Sequence, residues 1–105
     1  MEIVETSIFT KQVTAILSND EYQQLQSELI MNPCLGPLIR GGGGLRKVRW
    51  SLPGRGKSAG ARAIYYWAVN DEIILMLFLY KKNEQEDLTP TQIKTLRRII
   101  EEEYP

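Results

Sequence analysis

The chain has 105 residues, 43% of them hydrophobic and 25% charged, with equal numbers of basic and acidic side chains. That size fits one domain with a modest core, residues 1–105. One cysteine, Cys34, excludes an internal disulfide, and the absence of histidine argues against a zinc site. No cofactor is expected. Met1–Thr10 lacks the basic start and long apolar run of a signal peptide, and the longest apolar run, Ile73–Tyr80, is too short to span a bilayer. A cytoplasmic protein without membrane contact is expected.

The neutral total hides a strong segregation. Met1–Ile39 carries five acidic residues and one basic residue, and Asn83–Pro105 carries six and three. Between them, Arg40–Trp67 carries seven basic residues and no acidic one. A concentrated cationic segment points to a polyanionic partner such as a nucleic acid.

Glu2–Glu5 reads as a short edge strand. Ser7–Ile16 reads as a helix from the spacing of Phe9, Val13 and Ile16. Ser18 and Glu21 form a capping box for a second helix, whose stripe is Tyr22, Leu25 and Leu29 and which Asn32-Pro33 ends. Pro33–Gly44 is a turn region in which Gly41–Gly44 is expected to be a flexible connection. In Leu45–Leu52 the residues alternate, with Val48, Trp50 and Leu52 on one face and Lys47, Arg49 and Ser51 on the other. Ala61–Val69 is an aromatic, β-branched strand, Asn70-Asp71 a hairpin turn, and Ile73–Tyr80 a central strand covered on both faces. Thr89, Pro90 and Gln92 start a last helix with Ile93, Leu96 and Ile100 facing the core. The order predicts an α+β domain. A small antiparallel sheet, made of the N-terminal edge strand and a three-stranded meander, packs its helices on one face and leaves the other for a ligand.

Gly54–Gly60 contains the closing letters of a phosphate loop, Gly56-Lys57-Ser58. The first glycine of that motif is replaced by Ser51, however, and a strand-like run follows instead of a helix. The nucleotide-loop reading fails, and the loop reads as a basic connection between two strands.

Neighbouring strands lie about 5 Å apart, so Lys47, Arg49, Arg62, Tyr80, Lys81 and Lys82 can converge, with Arg46 beside them and Arg55 and Lys57 reaching over. Arginine grips phosphate oxygens bidentately, and a tyrosine stacks on a base. Cleavage through a 2′-OH needs a base, an acid and cations on the pentavalent phosphorus. A lysine crowded by cations can take the base role, which singles out Lys47 and Lys82. Glu84 is a second candidate base, with an ion pair to a nearby arginine as its alternative role.

Three segments, "NPCLGPLIRGGGGLRKVRW", "GKSAGARAIYYW" and "LYKKNEQEDLT", together resemble the RelE-like toxins of the RelE/ParE superfamily of bacterial toxin–antitoxin systems, most closely the HigB-type branch. The resemblance covers nearly the whole chain. It implies a ribosome-dependent endoribonuclease (mRNA interferase) that cuts mRNA in the A site. It also implies a cognate helix-turn-helix antitoxin that inhibits the toxin, the complex of the two repressing the shared operon at its operator DNA. The family's catalytic cations fall on Lys47, Arg49, Arg62 and Lys82. The C-terminal tyrosine of RelE itself has no counterpart, Leu88 lying near that position, and Tyr80 is the available substitute. The alternatives are a ParE-like gyrase poison, which tends to lack the clustered sheet cations, and a non-enzymatic binding module.

Overall fold

The computed structural model describes residues 1–52 and 60–105. The elements follow in the order β1 (Glu2–Glu5), α1 (Ser7–Ile16), α2 (Asn19–Met31), β2 (Arg46–Ser51), β3 (Gly60–Ala68), β4 (Ile73–Lys81) and α3 (Pro90–Glu103), with a single 3₁₀ turn, Val69–Asp71, between β3 and β4. Each helix starts where its capping residue predicts. Thr6 accepts from Phe9 N, and the Ser18/Glu21 and Thr89/Gln92 pairs form complete capping boxes.

The four strands form one sheet in the order β1-β4-β3-β2. The meander β2-β3-β4 is antiparallel, as expected, but β1 runs parallel to β4, so the sheet is mixed. The chain leaves β1 through two helices and re-enters the sheet on the far side of β4, a connection that permits parallel pairing where a hairpin does not.

The expectation of helices on one face is corrected by the two cores. On one face, Ala61, Ala63, Tyr65, Ile74, Met76 and Leu79 pack with Phe9 and Val13 of α1 and Leu25 and Leu29 of α2. On the other, Ile64, Leu75 and Leu77 pack under Leu96 and Ile100 of α3 together with Leu45. The stripe of α3 needs its own apolar partner, and β4, apolar on both faces, supplies it. The second face is therefore free for a ligand only beyond the end of α3.

A β-bulge sets what that free end presents. Ile64 pairs with Phe78 but Tyr65 pairs with Met76, so Leu77 is an extra residue in β4. A single inserted residue inverts the alternation beyond it. Leu79 therefore turns to the α1/α2 face and Tyr80 to the α3 face.

The glycine run forms a defined turn, in contrast to the expected flexible connection. Gly41, Gly43 and Gly44 have φ of 73°, 64° and 110°, and Gly44 lies so close to the Tyr66 ring that a Cβ there would sit 2.7 Å from Cε1. Gly42 N donates to Ile39 O and Leu45 N to Gly42 O, while Arg97 of α3 reaches Gly41 O. Ahead of it, the Tyr65 hydroxyl donates to Pro33 O and accepts from Gly36 N, and Arg46 donates to Gly36 O.

A cationic row as the candidate functional site

The register of the meander builds the site. Arg49 of β2 is directly opposite Arg62 of β3, and Arg62 is directly opposite Tyr80 of β4. Lys47 lies two residues before Arg49 and so shares its face, opposite Ile64. The alternation in β2 comes from burial. Val48 is in the α1/α2 core, which turns Lys47 and Arg49 to the other side.

Among the described residues, neither Arg49 nor Arg62 has a carboxylate within ion-pair distance. The Arg62 guanidinium donates to the neighbouring carbonyl of Ala61 at 3.1 Å. Lys47 does have a partner: its Nζ donates to Asp87 Oδ1 at 2.6 Å. The Lys47 side chain is 20% exposed and that of Asp87 71%. The hydrogen bond and charge of Lys47 hold the Asp87 carboxyl below the usual carboxylate range, with Arg49 and Arg62 adding to the effect. Asp87 lies in the connection between β4 and α3, a segment that must pass back over the strand ends.

Tyr80 is only 4% exposed, its ring beside Phe78 and its hydroxyl 3.5 Å from the Glu86 carbonyl. A base has no open ring face on which to stack. Burial, with Asp87 adding, pushes the phenol above its usual pKa, while Arg62 and Arg49 oppose the shift. The hydroxyl thus remains protonated at neutral pH and feels the charges of Asp87, Arg62 and Arg49.

Lys82 follows directly on β4. Its N–H donates to Gly60 O, which carries the ladder one step past the Ala61–Lys81 pair, and its exposed side chain has no ion pair among the described residues. Two expected contributors point elsewhere. Arg46 and Lys81 alternate out of the cationic face, Arg46 bonding Gly36 O and Lys81 lying 4.0 Å from Glu84. Glu84 is thus placed beside a lysine in place of the arginine expected as its ion-pair partner. Arg55 and Lys57 lie outside the described residues.

A groove of about 820 Å³ runs along the outer edge of β2, lined by Pro37, Leu38, Arg40, Lys47, Arg49 and Asp87 among others. No group of His, Cys, Asp and Glu among the described residues is arranged to hold a metal ion, and no described helix is long and apolar enough to cross a membrane. What the cluster offers chemically is four cations, Lys47, Arg49, Arg62 and Lys82, and one buried phenol at the end of an antiparallel meander, and guanidinium groups of this kind can grip phosphate oxygens.

The architecture is that of an α+β domain, a small mixed sheet with cations clustered on one face. Residues 39–103, well over half of the chain, match the model of the RelE toxin of the RelE/RelB toxin–antitoxin system. The chain belongs to the RelE toxin family. The match takes in the glycine turn, the three strands of the meander and α3, and so every residue of the cationic row.

Proposed function

We propose that this protein is the toxin of a type II toxin–antitoxin system, of the HigB-type branch, and that it cleaves mRNA in the ribosomal A site. The observation that carries this reading is the row Arg49–Arg62–Tyr80 with Lys47 on the same face, its two arginines unpaired among the described residues. Unpaired guanidinium groups side by side are costly to a fold and valuable to a site that must stabilise a pentavalent phosphorane.

In this reading Arg49 and Arg62 hold the non-bridging oxygens of the scissile phosphate. Lys47 and Lys82, at opposite ends of the cluster, are the proton-transfer groups. Tyr80 fixes the floor of the site through its packing and presents a protonated hydroxyl. The remaining partners are a cognate helix-turn-helix antitoxin and, through it, operator DNA. The protein acts in the cytoplasm, where ribosomes translate.

Purified protein in a reconstituted translation reaction, followed by primer extension on the message, tests the proposal. Cuts at the codon in the A site are expected. Intact message at stalled ribosomes contradicts it, and trapped DNA gyrase in a supercoiling assay would move the protein to the gyrase-directed branch of the superfamily.

A further inference from the structure

We infer that Asp87 is an internal stand-in for phosphate: its carboxylate occupies an anion position on Lys47, and a phosphate of the bound polyanion must displace it. The inference rests on the reading of the cationic row as a polyanion site and adds a residue that sets its affinity. Of the acidic residues described, Asp87 alone makes an ion pair with a cation of the row. Its carboxylate also sits within the field of Arg49 and Arg62.

The segment that carries Asp87 is anchored independently of its side chain. At one end, Glu84 N and Gln85 N both donate to Lys81 O. At the other, Gln85 Nε2 donates to Asp87 O and to Gln92 Oε1, which itself accepts from Thr89 N in the cap of α3. The Asp87 side chain can therefore leave Lys47 without unfolding the connection. It is mostly exposed, and an exposed ion pair is weak and exchanges readily with a competing anion. Lys47 is the more buried partner and stays in place. The exchange leaves one carboxylate beside the bound phosphate, a repulsion that lowers affinity for every polyanion regardless of sequence.

The test is binding of a 2′-O-methyl RNA oligonucleotide, which cannot be cleaved through the 2′-OH, to wild type, Asp87→Asn, Glu86→Gln, Lys47→Ala and the Lys47→Ala/Asp87→Asn double variant. Asp87→Asn is expected to bind about 3- to 10-fold more tightly at low salt, with the slope of log affinity against log salt steeper by about one. Glu86→Gln, in the same segment with the same charge change, is expected to give a smaller gain. In the Lys47→Ala background the Asp87→Asn gain should shrink to the Glu86→Gln value, because the coupling is local. Equal gains from Asp87→Asn and Glu86→Gln, or an undiminished gain without Lys47, would reduce Asp87 to one surface charge among several and overturn the inference. Unchanged or weaker binding by Asp87→Asn overturns it too, while wild-type binding leaves the polyanion reading standing. Failure of both wild type and Asp87→Asn to bind would overturn both.

Discussion

Arg49 and Arg62 face each other directly across the β2–β3 ladder, on one side of the sheet, and among the described residues neither has a carboxylate within ion-pair distance. Like charges at directly opposed positions oppose folding, by roughly 0.2–1 kcal/mol for a pair. Arg62→Gln keeps most of the side chain and removes the repulsion. Its stability should stay within about 1 kcal/mol of wild type, with the larger advantage at low salt, where screening is weakest. Urea unfolding at two ionic strengths measures this. A large loss of stability would make Arg62 a structural residue.

Tyr65 joins β3 to the segment before the glycine turn. Its ring is fully buried, and its hydroxyl serves Pro33 O and Gly36 N together. Tyr65→Phe leaves both backbone groups without that partner, at an expected cost of about 1–3 kcal/mol. Denaturant midpoints check it, and a change below a few tenths would show that water replaces the hydroxyl.

The pH dependence follows from the same burial. Desolvation raises the phenols of Tyr22, Tyr65 and Tyr80 above their ordinary value, with Glu5 adding to the shift at Tyr22, whose hydroxyl donates to Glu5 Oε2 at 2.6 Å. A phenol raised in the folded state keeps its proton longer than in the unfolded chain. The stability it contributes is fully present below the unfolded value of about 10 and is lost as pH rises above it. Thermal melts should therefore fall above about pH 10, and Tyr65→Phe should flatten that fall.

Gly44 combines a φ of 110° with contact on the Tyr66 ring. Gly44→Ala meets both a backbone conformation costly for an L residue and a clash with an aromatic ring, and should cost about 1–3 kcal/mol. Gly41 has φ of 73° but open space around it, so Gly41→Ala carries the backbone penalty alone and should cost less. Equal effects at the two positions would mean the Tyr66 ring yields freely.

Local signals were readable wherever a single segment decided the outcome. The caps at Ser18 and Thr89, the Val48/Arg49 alternation and the meander all depend on neighbours within a few residues. What escaped the sequence depends on distant pairing. The parallel β1–β4 contact joins residues about 70 positions apart, and α3 found its own face because β4 is apolar on both sides. The bulge at Leu77 has no marker in an unbroken apolar run, yet it decides which way Tyr80 points. At the site, the place of Arg62 directly opposite Arg49 needed the β2–β3 register, but strand alternation was enough to set Lys47 and Arg49 on one face. It also implied that Arg46 and Lys81 point away, a consequence masked by grouping cations by proximity in the chain. The direction of Asp87 is not legible in the sequence because it lies in a loop, where periodicity says nothing about where a side chain points.

The central claim is that the working face of the sheet is the one carrying Arg49 and Arg62. The most direct test is the rate of A-site cleavage by Arg62→Ala compared with Lys81→Ala, a cation paired with Ala61, next to Arg62, but on the opposite face. The account predicts a loss of about 10²- to 10³-fold for Arg62→Ala, the usual cost of removing one group that stabilises transition-state charge, and a nearly unchanged rate for Lys81→Ala. Equal losses in the two variants, or full activity without Arg62, would contradict it.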